Sequence, residues 1–261
     1  MLNIDLTGRR ALVTGSSSGL GSAIALSMAD AGASVAIHYL KDQRAADDVV
    51  ARIRQRGGTA QAFQADVSVV TDVQRLFNEV TLALGGLDIL VNNAGMDGAA
   101  ANCADSDPAQ WARVLAVDLQ APYNCARLAL KTMLPQQRGV IINITSVHEF
   151  IPWSGYSAYT SAKAGLSMFT KTLAQEVAGS GVRVLAIAPG AIKTPINASV
   201  WQDPKGLADL DEKIAMGRLG EPDEIGRVAA FLASDLASYI TGTSIAVDGG
   251  MLIYPDFRHG G

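Results

Sequence analysis

The sequence predicts an α/β fold of three layers, in which helices wind on both faces of a seven-stranded parallel sheet. Three observations carry this. Short apolar, β-branched runs recur along the chain, helix-length amphipathic segments separate them, and a glycine-rich turn joins the first run to the first such segment. Nearly continuous apolar runs suit strands that are covered on both faces, as parallel strands are. The predicted strands are 10–14, 34–39, 60–65, 88–91, 140–145, 183–188 and 243–247, and the predicted helices are roughly 20–31, 42–56, 70–84, 108–135, 157–178 and 222–233. Pro108 and Pro222 fall early in their segments, where proline forfeits only an N–H that has no helical acceptor. Right-handed crossovers then bring the carboxyl ends of the strands to one edge of the sheet.

No repeat, low-complexity tract or linker interrupts this alternation, so 1–261 reads as one domain. Segment 192–217 departs from it, with Pro195, Trp201, Pro204 and scattered charges after the sixth strand. An insertion beyond a strand's carboxyl end is where a substrate lid would sit, the alternative being a plain surface excursion.

Composition excludes several classes. Of 261 residues, 49% are hydrophobic and 18% charged, enough apolar material for a large core and unlike a disordered chain. Lys and Arg total 21 against 25 acids, a net charge of −4 with no basic block, which argues against a nucleic-acid partner. Cys103 and Cys125 make neither a disulfide framework nor a zinc site, and no metal is expected. The apolar stretches fall short of the roughly 18 residues of a membrane helix. No basic segment followed by an apolar run opens the sequence, so a soluble, reduced, cytoplasmic protein without a membrane partner is expected.

The turn Thr14-Gly15-Ser-Ser17-Ser18-Gly19-Leu20-Gly21 leads from strand to helix. Such glycines let backbone approach a pyrophosphate resting on the helix N-terminus, although G-x-x-x-G-x-G is neither the usual G-x-G-x-x-G nor a Gly-Lys-Ser/Thr loop. The second strand ends at His38-Tyr39 with no acid at its tip, and Lys41 follows within reach of a 2′-phosphate. NADP or dual use of NAD and NADP is therefore expected. Asp66 either accepts from the adenine amino group or builds a turn. In Asn92-Asn93-Ala94-Gly95, small residues admit a cofactor while the amides can pin neighbouring strands. Tyr159-x-x-x-Lys163 places a phenol and an ammonium on one helix face. The pair suits proton transfer to or from an alcohol, because a nearby positive charge favours the phenolate. Ser146, at the end of the fifth strand, can hold the substrate oxygen.

Together these motifs and Pro189-Gly190 resemble the short-chain dehydrogenase/reductase family in order and spacing along essentially the whole chain. The resemblance implies a seven-stranded Rossmann-like sheet, an NAD(P) cofactor and a homotetramer. It makes Tyr159 the general acid/base, Lys163 the residue that lowers its pKa and holds the nicotinamide ribose, and Ser146 the group that orients substrate. Gly15, Ser17, Ser18, Gly19, Leu20 and Gly21 would surround the pyrophosphate, with Tyr39 and Lys41 at the far ribose. Asp66 and Val67 would frame the adenine and Asn93 the ribose, with Ala94 and Gly95 among the cofactor-binding residues. Pro189, Gly190, Ile192 and Thr194 would meet the nicotinamide. The family's fourth catalytic residue is an asparagine, and the matching position holds Asp118. Its carboxylate is either without catalytic effect or raises the tyrosine's pKa.

A sugar pocket needs converging polar groups, for which Asp97, His148, Glu149 and Asn197 are candidates, His148 also reading as a structural histidine. Ser146-Val-His-Glu149, Ile151-Pro-Trp153, Pro189 through Asn197 and the ending Asp248 through Phe257 resemble the bacterial glucose 1-dehydrogenases of that family. The resemblance implies oxidation of β-D-glucose at C1 to gluconolactone, with Asp97, His148 and Asn197 touching the sugar. The alternatives are an NADPH-dependent reductase of a keto sugar, small ketone or 3-oxoacyl substrate, and, remotely, a non-catalytic dinucleotide sensor. The apolar segment 249–261 is expected at a subunit interface.

Overall fold

The computed structural model describes residues 4–253, to which every structural statement below refers. The strands are β1 Arg10–Val13, β2 Ser34–Tyr39, β3 Thr59–Gln64, β4 Ile89–Asn92, β5 Gly139–Ile144, β6 Val182–Pro189 and β7 Ser244–Val247. They form one parallel sheet in the order β3-β2-β1-β4-β5-β6-β7. The helices around it include α1 Gly19–Asp30, α2 Gln43–Gln55, α3 Val70–Leu84, α4 Pro108–Leu115, α5 Ala121–Gln136 and α6 Ser157–Val177. After β6 come α7 Ala198–Trp201, α8 Pro204–Glu212 and α9 Pro222–Ala233.

Side chains alternate along each strand and so divide the core in two. Ala11, Val13, Val35, Ile37, Ile142 and Ile187 pack with Ile24 of α1, Val49 of α2 and Ile225 of α9. Leu12, Ala36, Leu90, Ile141 and Val184 pack on the other face with Leu76 of α3, Met133 of α5 and Leu173 of α6. Because β1 lies between β2 and β4, the chain leaves it in opposite directions, and a crevice opens beyond the carboxyl ends of β1 and β4.

One expectation needs correction. The predicted helix 108–135 is not uniform: a π-helical turn, Ala116–Gln120, separates α4 from α5 and buries Val117 and Asp118. One extra residue in a turn leaves the apolar pattern nearly intact, which is why periodicity alone misses it. Segment 192–217, the insertion after β6, carries a short 3₁₀ turn, α7 and α8, with Asp203 capping α8 through the N–H groups of Lys205 and Gly206. Of the expected interface segment 249–261, residues 254–261 lie outside the described residues. The part before them is held by Asp248, which accepts from Gly250 and Leu252 N–H at 2.9 and 2.8 Å. No helix among the described residues is long and apolar enough to cross a membrane. No cluster of three His, Cys, Asp or Glu that could hold a metal occurs among them, and both cysteines are free.

Candidate active site

A cleft of about 720 Å³ opens at the carboxyl ends of the strands. Its floor is the turn after β1, folded tightly against the turn after β4. Gly15 has φ +62°, and a Cβ there would lie 2.9 Å from Ala94 Cα; a Cβ on Gly21 would meet Gly15 O at 2.3 Å. Thr14 Oγ1 accepts from the N–H groups of Asn93 and Ala94, while Asn93 Nδ2 donates to Thr14 O and Gly15 O. Ser18 occupies the N-cap of α1 without a side-chain cap. The first-turn N–H groups of Gly19, Leu20 and Gly21 therefore stay available at a positive helix end that lines the cleft, an arrangement that fits a pyrophosphate.

Beyond the end of β3, where the adenine is expected, Asp66 builds a turn, accepting from Ser68 N–H at 2.9 Å and Ser68 Oγ at 2.6 Å, and faces Arg113 at 3.1 Å. Burial alone would raise its carboxyl, but Ser68 and Arg113 hold it below the ordinary range. Of the two readings for Asp66, the turn-building one describes its side chain. Asn92 pins strands, donating to Asn143 Oδ1 at 2.8 Å, and Asn143 donates on to Thr170.

The π-helical turn, β5 and α6 converge at the other end. Lys163 is 5% exposed, and its Nζ donates to Ile144 O at 3.1 Å, lies 3.1 Å from Asp118 Oδ2 and stands 5.4 Å from the centre of the Tyr159 ring. Asp118 is 1% exposed and its Oδ1 accepts from Met96 N–H at 2.9 Å. Burial pulls the ammonium down, yet the Asp118 carboxylate, helped by the ionised form of Tyr159 and by Asp97, more than offsets it and holds Lys163 above its ordinary value. Burial also pushes Asp118 up, with Lys163 and the Met96 amide opposing it. For Tyr159, burial raises the phenol and outweighs the lowering by Lys163 and by a hydrogen bond from Ser146, while Asp97 and Asp118 add to the rise. The expected lowering of the phenol by Lys163 is therefore present as a contribution but is not the net result in the protein alone.

Aromatic rings stand beside this group. His148 stacks on Trp153 with centroids 4.6 Å apart, Trp153 stacks on Tyr156 at 3.9 Å, and both His148 and Trp153 meet Tyr159 edge-on. His148 Nδ1 lies 3.2 Å from Ile151 O, a carbonyl that only accepts, so Nδ1 carries the proton and Nε2 is left as acceptor. Burial lowers the imidazole's pKa and keeps it neutral.

Apart from Lys41 and Glu149, every expected site residue lines this cleft; Lys41 is exposed in the short link between β2 and α2. Glu149 is also absent from the lining: its carboxylate accepts from Ser167 and Ser244 at 2.8 and 3.1 Å and ties α6 to β7. Asn197 lines the cleft with its amide already engaged, accepting from Thr194 and donating to Ile192 O. Asp97 lines it with no hydrogen-bond partner among the described residues; burial raises its carboxyl, Asp118 adds to this and Lys163 opposes it. Sequence reasoning missed His38, Arg113 and the apolar Met96, Ile196, Val200, Leu210 and Met251 as lining residues. Only His38 carried a signal, a lone polar residue within an apolar strand. A second cavity, about 650 Å³ beside Lys193, Trp201 and Arg218, is lined by none of the residues expected to be catalytic.

The family model described as enoyl-(acyl carrier protein) reductase matches residues 15–252. The chain is 46% identical over 257 residues to 3beta-hydroxysteroid dehydrogenase 1 of Eggerthella lenta, covering 98% of each protein. It is 39% identical over 252 residues to glucose 1-dehydrogenase 2 of Bacillus subtilis, covering 96% of this chain and 97% of that one. Among solved structures, a gluconate 5-dehydrogenase from Burkholderia cenocepacia in complex with NADP and tartrate superposes with a TM-score of 0.90 at 32% identity, covering 96% of this chain and 97% of the other. With its parallel sheet, phosphate-ready glycine turn and Ser146–Tyr159–Lys163 group, the chain belongs to the short-chain dehydrogenase/reductase family and is an NAD(P)-dependent oxidoreductase.

Proposed function

We propose that the protein oxidises the anomeric hydroxyl of a neutral sugar, β-D-glucose at C1 to gluconolactone. The observation that carries this is the Asp97 carboxylate, unpartnered in the cleft and electrostatically coupled to Tyr159 and Lys163, where it can accept from a sugar hydroxyl. The His148–Trp153 pile supplies a flat apolar face for the C–H side of a pyranose ring. The glucose 1-dehydrogenase relative supports the same reading.

Ser146 and Tyr159 hold the reacting oxygen, and Tyr159 takes its proton as the C–H hydrogen leaves. Nicotinamide, when bound, supplies the hydride acceptor, or the donor in the reverse direction. Lys163 stays charged through its pairing with Asp118 and favours the phenolate, and its ammonium would hold the nicotinamide ribose. The lack of an acid at the tip of β2 supports NADP, or use of either cofactor. Segment 192–217 serves as the lid over the substrate, 1–261 acts as one catalytic domain, and four copies assemble in the cytoplasm.

A second reading has its own support. Ile196, Val200, Leu210 and Met251 give the substrate side an apolar wall suited to a 3β-hydroxysteroid, and the Eggerthella lenta relative is named for that activity. Initial rates with β-D-glucose and with a 3β-hydroxysteroid, each with NAD and with NADP, decide between them. Glucose turnover that falls at least about 100-fold in Tyr159→Phe is expected; steroid turnover with none on glucose replaces the first reading by the second. Light scattering of the purified chain tests the tetramer.

A further inference from the structure

Both ring nitrogens and both backbone polar atoms of His38 are engaged, and three chain segments meet on this one residue. His38 lies in β2 and is 2% exposed. Its Nδ1 accepts from Gly15 N–H at 2.8 Å, and its Nε2 lies 3.1 Å from Ala65 O. Its own N–H donates to Ser16 Oγ at 3.0 Å, and its carbonyl accepts from Ser16 N–H at 2.9 Å. A peptide N–H only donates and a carbonyl only accepts, so the ring is neutral with its proton on Nε2. Burial depresses the imidazole to about 4, against the opposing Ala65 carbonyl and the Asp66 carboxylate, the one charged group whose field is felt at the ring.

We propose that His38 is a positioning residue for the dinucleotide, clamping the turn after β1 to the turn after β3 so that the phosphate-binding amides are set before the cofactor arrives. Gly15 opens the turn that continues through Ser17 to Gly21, and Ala65 directly precedes Asp66 and Val67; both stretches line the cleft. A glycine at φ +62° has no side chain to fix its peptide plane, and the imidazole supplies that restraint. The clamp also sorts the donors. His38 consumes the N–H groups of Gly15 and Ser16, so the free donors are the first-turn amides of α1. An apolar residue at 38 would leave Gly15 N–H and Ala65 O without partners beneath the pyrophosphate. The argument is independent of which alcohol the enzyme takes.

Fluorescence titration of the purified chain with NADPH and with NADH tests this, alongside kcat at saturating cofactor. His38→Leu is expected to weaken binding about tenfold or more, the effect of one or two buried hydrogen bonds. In His38→Asn the amide oxygen takes the place of Nδ1, and binding within about threefold of wild type is expected. His38→Gln reaches only as Nε2 does, toward Ala65 O, and is expected to bind weakly. In all three, kcat at saturation stays within about twofold, because the restraint acts before chemistry. Unchanged affinity in His38→Leu overturns the proposal, as does His38→Asn binding no better than His38→Gln. That last pair decides the matter even where the leucine variant does not fold.

Discussion

Two buried polar groups flank the cleft, and they are built on opposite plans. At the glycine turn, His38 is neutral and every one of its polar atoms has a well-aligned partner. At the reaction end, Lys163 and Asp118 are an ion pair, and Asp118 Oδ2, 3.1 Å from Nζ, has no aligned hydrogen bond. A satisfied neutral network fixes backbone with little electrostatic tension. A buried ion pair keeps charge where burial would otherwise remove it, which is unfavourable for stability but useful for moving a proton. The contrast separates the half of the cleft proposed to bind the cofactor from the half proposed to react.

The sharpest way to break the contrast is to remove the proposed proton carrier, Tyr159, alone. Tyr159→Phe keeps the ring and its edge-on contacts with His148 and Trp153 but loses the hydroxyl. Turnover is expected to fall about 10²- to 10⁴-fold, the span of general acid–base catalysis, with NADPH affinity within about threefold of wild type. Steady-state kinetics with a binding titration check this, and comparable losses of both would merge the two halves.

The binding half is expected to respond to acid through stability. An unfolded histidine titrates near 6.5, and His38 in the fold near about 4. Between those values the unfolded chain binds the proton that the folded chain refuses. The contribution is therefore fully present above pH 6.5 and is lost as pH falls toward 4, to a total of about 3 kcal/mol. Urea unfolding at pH 7 and pH 4.5 is expected to show a larger loss in wild type than in His38→Asn, which has no imidazole to protonate. Equal losses would show that the carboxylates account for all of it.

The sequence made the binding half's backbone readable and left its fastening hidden. Glycine spacing announces the turn because only glycine tolerates φ +62° at Gly15 and the close approach of Gly21 to Gly15 O. His38 is visible only as a polar interruption of β2, since its partners, Gly15 and Ala65, are 23 and 27 residues away and are backbone atoms that no motif records. On the reacting side Tyr159 and Lys163 are legible from their spacing on α6 because both are carried by one helix. The placement of Asp118 depends on a π-helical turn whose apolar pattern mimics an ordinary helix. Among the sugar candidates, residue type misled for Glu149 and in part for Asn197. Polarity near a motif does not tell whether a carboxylate or amide faces the cleft or, as here, holds Ser167 and Ser244 or caps a turn. Asp97 differs from them in having no such internal task.

The smallest expected effect lies in the ion pair itself. Asp118 and Asp97 both raise the Tyr159 phenol, and Asp118 is also the largest charge holding Lys163 protonated. Asp118→Asn keeps the shape and leaves an acceptor for Met96 N–H but removes one negative charge. With Asp97 still present to favour the ammonium, the phenolate becomes easier to form and the tyrosine's pKa falls. Alcohol oxidation needs that phenolate, so the rising limb of kcat against pH is expected to move toward acid by about one unit, the scale of a single partly screened charge at this range. A limb that stays in place would mean that Asp118 acts only as a fastener for Met96, making the reacting half as passive as the His38 clamp. A limb that moves toward alkali would mean that Lys163 loses its proton once its partner is gone, so that the ammonium's charge, more than the carboxylate's repulsion, governs the phenol.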